Sequence, residues 1–315
     1  MIRIGLVNID TSHPGAFAEY MAKGDRARFA AIYNDGFRGD DEVAGYMRKY
    51  SVEKRYADIA EMAVDADVDV GFVLGCDWDA HLRQALPFIR QNKPVFIDKP
   101  FAGNIRDCRE LEGHAANGAV ILGASSMRYA REIVDFLAKP EAERGSIVHI
   151  YATVGSDEFN YPIHIAEAIC GMINSPAASC RFIDRTELYG KVCEVYSIRF
   201  ENGVIATYNT FHNQYQPSEM VIMTTKSTYR FTIGASGRLY QDMLDKIFDY
   251  IETGVNTLAS VPELTAAVKV LLAGRISREC GGAAVRLADI PADDPGFDGA
   301  AFARGYAAAS KPMYL

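Results

Sequence analysis

Ile2-Arg3-Ile4-Gly5-Leu6-Val7-Asn8-Ile9-Asp10-Thr11-Ser12-His13-Pro14 opens the chain directly after Met1. The first six residues are a short apolar run, which reads as a buried strand. A polar turn follows, and Pro14 suits the first turn of a helix. Apolar residues at helical spacing then predict a helix over 14–23, with Phe17, Tyr20 and Met21 on one side. The same alternation repeats outward. Strands are expected at 29–33, 68–75, 94–97 and 119–123, and helices at 41–49, 58–64, 81–91 and 104–117. Strands separated by helices of this length predict a parallel, doubly wound α/β sheet of Rossmann type. Its loops at the strand carboxyl ends form the ligand-binding edge.

The pattern changes near residue 125. A helix over 128–138 precedes longer alternating strands at 146–154, 187–200, 203–211, 220–224 and 228–233. Glu201-Asn202-Gly203 is a turn, because Asn-Gly supplies the positive φ of tight hairpins. A mostly antiparallel open sheet with helices on one face is therefore expected. Two strong helices come late. One carries Leu239, Met243, Leu244, Ile247, Phe248 and Ile251; the other starts at the capping box Ser260-Val261-Pro262-Glu263. The chain thus divides into a Rossmann domain, 1–123, and an α+β substrate-binding and oligomerisation domain, 124–315.

A chain of 315 residues has the length of two domains of ordinary size. A net charge of −8 argues against nucleic acid and anionic membranes as partners. No apolar run reaches the roughly 20 residues of a membrane span. With a strand opening behind Met1, no leader is expected. The six cysteines show neither zinc nor disulfide spacing, so a reducing, cytoplasmic setting is expected.

In a Rossmann unit the first turn carries G-x-G-x-x-G, whose glycines let the backbone approach a diphosphate. Here the positions are Asn8-Ile9-Asp10-Thr11-Ser12-His13, with no glycine. Asn8 tolerates a left-handed turn, and Asp10, Thr11 and Ser12 are good helix N-caps. The stretch fits two readings: a capped helix start alone, or a helix amino terminus that still holds pyrophosphate. Asp10 opposes the second, since a carboxylate about 4 Å from a phosphate costs roughly 4 kcal/mol at an effective dielectric near 20. It either turns back to cap its own helix or has its charge offset by His13. Asn34-Asp35 ends the second strand at the usual offset of the ribose-binding acid. Asp35 fits either a turn residue before Gly36 or an acid that binds the ribose hydroxyls and favours NAD, whereas Arg38 nearby suits the 2′-phosphate of NADP.

Val95-Phe96-Ile97-Asp98-Lys99-Pro100-Phe101-Ala102 resembles the Glu-Lys-Pro segment of the Gfo/Idh/MocA dehydrogenases, with aspartate for glutamate. Gly75-Cys76-Asp77-Trp78-Asp79-Ala80-His81 resembles that family's strand–turn–histidine segment beside the cofactor, and Gly123-Ala124-Ser125-Ser126-Met127-Arg128-Tyr129 its crossover into the second domain. Residues 240–290 are similar to its closing helices and final strand. The family pattern D-x-G-x-H-x-x-D appears as Asn160-Tyr161-Pro162-Ile163-His164-Ile165-Ala166-Glu167, with Asn160 for aspartate and Pro162 for glycine. Together with the Asp-Thr-Ser-His turn, this variant resembles a divergent branch of the family.

The resemblance implies a dehydrogenase that uses NAD or NADP on a sugar, cyclitol or related hydroxy compound, assembled as a homo-dimer or tetramer. It places Lys99 and His164 at the chemistry, with Asn160 and Glu167 in support: Asn160 is expected to orient His164, and Glu167, one helical turn further on, to balance its charge. Gly75, His81, Asp98, Lys99, Pro100 and Arg128 would lie beside the cofactor, with a cis peptide before Pro100. The residue types suit the task. An imidazole is a general base near neutral pH, and Lys99 can stabilise charge on the reacting oxygen. His164 and Glu167 also have a spacing that permits a metal, but one common by chance. His212 fits either a substrate pocket or a sheet surface. Two other functions share the fold: a binding or regulatory protein without redox chemistry, and a lyase or hydrolase that uses NAD transiently.

Overall fold

The computed structural model describes residues 1–123 and 125–314, so Ala124 of the expected crossover lies outside the described residues. The first part alternates as expected, with one short strand, β3, that the sequence reading did not place: β1 (Ile2–Val7), α1 (His13–Met21), β2 (Ala27–Tyr33), α2 (Asp40–Tyr50), β3 (Lys54–Tyr56), α3 (Ile59–Val64), β4 (Val70–Val73), α4 (His81–Arg90), β5 (Val95–Ile97), α5 (Ile105–Ala116) and β6 (Ile121–Gly123). The six strands pair in the order β3-β2-β1-β4-β5-β6, all parallel. This is the doubly wound order, with the reversal between β1 and β4. Ile4, Leu6, Val70, Phe72 and Phe96 are fully buried at its centre. Gly71 lets α4 lie close, since a Cβ there would meet the Phe88 ring at 2.6 Å.

The second part runs α6 (Arg131–Ala138), α7 (Glu141–Arg144), β7 (Ile147–Ser156), α8 (Pro162–Met172), β8 (Ala177–Leu188), β9 (Lys191–Phe200), β10 (Ile205–His212), β11 (Glu219–Thr224), β12 (Thr228–Thr232), α9 (Gln241–Thr253), α10 (Val261–Glu279), β13 (Val285–Arg286) and α11 (Gly299–Ala309). Its sheet has the order β12-β11-β7-β10-β9-β8-β13. Apart from the parallel pair β7–β10, its described strand pairs are antiparallel. Alternation buries Ile150, Ala152 and Val154 of β7 and leaves Tyr151 and Thr153 half-buried on the other side. Tyr151, Val195, Phe211 and Val221 form part of this outer face.

The expected single strand over 187–200 is two elements. Glu187 and Leu188 end β8, and Tyr189-Gly190, with φ of 55° and 70°, turns the chain into β9. The Ser260–Glu263 capping box is present. No helix of the described residues is long and apolar enough to cross a membrane.

The end of the chain returns to the first sheet. Asp79 accepts the first amide of α11, Gly299 N, at 2.8 Å. Trp78 Nε1 donates to Phe297 O at 2.7 Å. Beyond α11, Arg38 donates to Lys311 O at 2.8 Å, and Tyr314 packs edge-on against Tyr46 with centroids 5.0 Å apart. Residues 297–314 therefore form a strap across the carboxyl edge of the Rossmann sheet.

Candidate active site

The edge of the first sheet carries two cavities. One, of about 380 Å³, lies between Asn8, Asp10, Asp35, Gly36, Arg83 and Gln84 on one side and Ala300, Ala303 and Arg304 of the strap on the other. The second, about 90 Å³, is lined by Thr11, Ser12, His13, Gly75, Cys76, Asp98, Lys99, Asn160 and Tyr161, with Phe302 and Tyr306 of the strap. The expected cofactor residues thus fall largely along one cleft.

Asn8 takes the left-handed conformation, φ 69°, that its position requires. Its amide oxygen accepts Asp35 N at 2.9 Å and Gly36 N at 3.1 Å, and its amide nitrogen donates to Asp35 Oδ1 at 3.0 Å. Asp35 also accepts from Arg83 at 2.8 Å and Gln84 at 2.6 Å. Burial works against its charge, but the bonds from Arg83, Asn8 and Gln84 outweigh it and hold the carboxyl below the usual aspartate range. Gln84 Oε1 is buried without a partner among the described residues. Asn34 ties the loops together, accepting Ile9 N at 3.3 Å and donating to Arg38 O at 3.0 Å.

Asp10 does not cap α1. Its carboxylate accepts Phe37 N at 3.1 Å and Cys76 N at 3.3 Å. It fills the space a side chain at Gly36 would need, where a Cβ would lie 2.1 Å from Asp10 Oδ1. Burial pushes its carboxyl up from the usual value despite these two bonds. His13 does not face Asp10; its Nδ1 lies 2.5 Å from Asp98 Oδ2. Ser12 is the N-cap of α1 without a side-chain cap bond, so the helix amino terminus stays open toward the cleft; Thr11 Oγ1 accepts His13 N at 3.2 Å. Arg38 does not reach the cleft. Its guanidinium is buried against Asp10 O, Glu42 and Lys311 O, so it offers nothing to a 2′-phosphate.

Lys99 follows β5, and its peptide bond to Pro100 is cis. Lys99 Nζ donates to Asn160 Oδ1 at 2.9 Å and lies 5.7 Å from the Tyr161 ring centre. Burial lowers its pKa from the ordinary lysine value, and Asp98 and Asp157 act in the opposite sense. Asp157 sits at the turn between β7 and α8, accepting Phe159 N at 2.9 Å and Tyr161 N at 3.0 Å. It escaped the sequence reading, although an aspartate three residues before Asn160 is a turn signal.

Asn160 thus serves Lys99 rather than His164. His164 is 6% exposed on α8, and Ser125 Oγ lies 2.5 Å from its Nδ1. Burial, then the nearby charges of Lys99 and His13, push its pKa well below the usual histidine value of 6.5. Glu167 does not touch His164. Its Oε2 accepts Ser125 N at 2.8 Å, and burial pushes its pKa up to about 7.

Two other expected cofactor residues are structural. His81 bridges Gly75 O and Pro100 O, each at 3.0 Å. Arg128 is buried against Glu263 at 3.1 Å and Glu167 O at 3.3 Å. His212 lies on the second sheet, 3.4 Å from Glu194. No group of three or more His, Cys, Asp or Glu side chains among the described residues is arranged for a metal ion.

A parallel sheet of this order, with an open helix amino terminus and an acid at the end of β2, is the arrangement of a Rossmann-type dinucleotide-binding fold, followed here by a second, mostly antiparallel sheet. Residues 3–125 match the model of the Gfo/Idh/MocA oxidoreductase family, NAD-binding Rossmann fold. The chain is 25% identical over 191 residues to the 1,5-anhydro-D-fructose reductase of Ensifer adhaerens, covering 53% of this chain and 57% of that protein. It is 28% identical over 109 residues to the scyllo-inositol 2-dehydrogenase (NADP(+)) of Bacillus subtilis, covering 34% of this chain and 32% of that protein. Both matches span less than two thirds of the relative. The fold of nearly the whole chain is that of the myo-inositol dehydrogenase from Lactobacillus casei, solved in complex with NAD(H) and myo-inositol. The TM-score is 0.78 at 13% identity, covering 91% of this chain and 96% of that one.

Proposed function

We propose that this protein is a dehydrogenase that moves a hydride between NAD(P) and a small polyhydroxylated substrate, a sugar or a cyclitol. The observation that carries this reading is Lys99. Its ammonium lies beside the Rossmann edge, is held from the second domain by Asn160, and borders a polar pocket. The residues of the cleft fit the group: Asp35 and Asn8 suit an adenosine ribose, the uncapped α1 amino terminus suits a diphosphate, and the unpartnered Gln84 Oε1 offers an acceptor beside the larger cavity. Asp35 and the withdrawn Arg38 favour NAD over NADP. A bound nicotinamide supplies or takes the hydride. Lys99, with its lowered pKa, exchanges a proton with the substrate oxygen; Tyr161 and the strap residues Phe302 and Tyr306 close the pocket around it. The half-buried outer face of the second sheet, with Tyr151, Val195 and Phe211, supports a homo-oligomer paired through that surface.

The reductase and inositol dehydrogenases among the relatives suggest which substrates to test. Nicotinamide absorbance is followed with 1,5-anhydro-D-fructose, myo-inositol and scyllo-inositol, using each cofactor. Turnover in the wild type that falls about 10²–10⁴-fold in Lys99→Ala, with dinucleotide affinity unchanged, is the expected result. Turnover unaffected by Lys99→Ala would overturn the assignment. A substrate consumed without net change in nicotinamide absorbance would point instead to a lyase or hydrolase.

A further inference from the structure

Ser125 lies where the chain crosses between the domains, and it is fully buried. Its hydroxyl has two neighbours. Met127 N donates to it at 3.1 Å, and His164 Nδ1 lies 2.5 Å away. Its own amide is fixed by Glu167 Oε2 at 2.8 Å. A serine hydroxyl has one proton to give. Met127 N–H is itself a donor and cannot receive that proton. Among the described residues, the acceptor in reach is His164 Nδ1, and a buried hydroxyl proton without an acceptor is costly. Nδ1 therefore carries a lone pair, and the ring proton of the neutral imidazole sits on Nε2. His164 Nε2 has no hydrogen-bond partner among the described residues, and the ring lies near Lys99 and His13, which both line the smaller cavity.

We propose that Ser125 is a positioning residue that holds His164 in the Nε2–H tautomer, so that this histidine donates a hydrogen bond to the reacting oxygen and Lys99 alone exchanges the proton. The tautomer stands on the geometry; its role in turnover rests on the dehydrogenase reading above. In the reducing direction, a carbonyl carbon accepts a hydride supplied by a reduced nicotinamide, and the electron pair of the C=O π bond moves to oxygen. A Lys99 N–H bond breaks and its proton joins that oxygen, leaving a neutral amine that solvent reprotonates. The His164 Nε2–H bond stays intact throughout. Oxidation is the reverse. Asn160 explains why the proton does not pass through the ring. Its amide is bonded to Lys99, and among the described residues no carboxylate is bonded to His164 to balance an imidazolium. The other charged groups about the ring, Lys99 and His13, are positive when protonated and oppose a further positive charge. Glu167 accepts Ser125 N with Oε2, and its Oε1 makes no hydrogen bond to His164 or to any other described residue.

The test reads the ring nitrogens directly, by long-range ¹⁵N–¹H NMR of the full-length protein at pH 7, with His164 assigned by its loss in His164→Gln. The expected spectrum is a neutral ring protonated at Nε2. In kinetics, Ser125→Ala should lower kcat about tenfold, the worth of one hydrogen bond, with KM for the dinucleotide unchanged, and Ser125→Thr should restore it. A ring protonated at Nδ1, or an imidazolium, overturns the proposal. So does a folded Ser125→Ala with wild-type kcat. Absence of turnover in the wild type would overturn the dehydrogenase reading instead; the spectrum decides the tautomer without substrate.

Discussion

Lys99 Nζ lies 2.9 Å from Asn160 Oδ1 and 3.4 Å from Asn160 O, so the lysine after β5 is held at the pocket by a residue of the turn between β7 and α8. An amide there holds the ammonium without adding negative charge. Asn160→Asp would put a carboxylate in the same place, favour the charged lysine and raise its pKa by about one pH unit or more. The limb of the kcat–pH profile that reports Lys99 should move to higher pH. A profile that stays fixed in the variant would show that Lys99 is not the titrating group.

Asp10 takes the place of a glycine and holds the loops after β2 and β4. Asp10→Asn keeps the acceptor for Phe37 N and Cys76 N but removes the negative charge from the diphosphate path. NADH should bind about tenfold tighter or better, since the repulsion of two charges 4 Å apart approaches roughly 4 kcal/mol at an effective dielectric near 20. Calorimetric titration of both proteins measures this. Equal or weaker binding by the variant would place the diphosphate elsewhere.

Glu167 gives stability a pH dependence. Its pKa in the fold is about 7, above the ordinary 4.5. Below pH 4.5 it is protonated in both states. As pH rises from 4.5 through 7, the unfolded chain releases this proton more readily, and native stability falls by about 3 kcal/mol in total. Glu167→Gln keeps an acceptor for Ser125 N and removes that slope. Urea midpoints across pH 4.5–8 should diverge between the two proteins, with the variant gaining toward high pH. Parallel curves would mean that the carboxyl is ionised in the fold.

The strap is pinned at its start by a buried ion pair. Arg275 Nη2 meets both Asp294 oxygens at 2.5 and 2.6 Å, with the side chains 12% and 8% exposed. Asp294→Ala leaves the guanidinium short of a partner and should cost about 3–5 kcal/mol, read from the denaturant midpoint. A loss under about 1 kcal/mol would mean that water replaces the carboxylate.

Periodicity made most of the fold legible. The apolar runs of β1, β2, β4, β5 and β6 are buried on both faces, and a short run bounded by turn residues carries that information locally. Asn8 was readable as a left-handed turn, and Ser260–Glu263 as a helix start, because both are local chemistry. β8 was not: beyond Phe182 it is largely exposed, so no alternation marks it. Nor was α11, which buries only Gly299 and is rich in alanine; Phe302 and Tyr306 at i and i+4 were its one signal. In the site, Lys99 and His164 were visible through resemblance. Their partners were not, because Ser125 and His164 meet across 39 residues, and Lys99 and Asn160 across 61. Sequence spacing therefore suggested Asn160 and Glu167 as supports of His164, whereas packing gives Asn160 to Lys99 and Glu167 to Ser125.

Trp78, the single tryptophan of the chain, stands beside the cleft, with its ring centre 4.9 Å from that of the strap residue Phe302. Titrating the protein with NADH while exciting Trp78 reads dinucleotide binding directly. The expected result is saturable loss of tryptophan emission with sensitised nicotinamide emission, and a dissociation constant between about 1 μM and 1 mM. No change up to millimolar NADH, in the wild type and in Asp10→Asn alike, would contradict a dinucleotide-binding cleft.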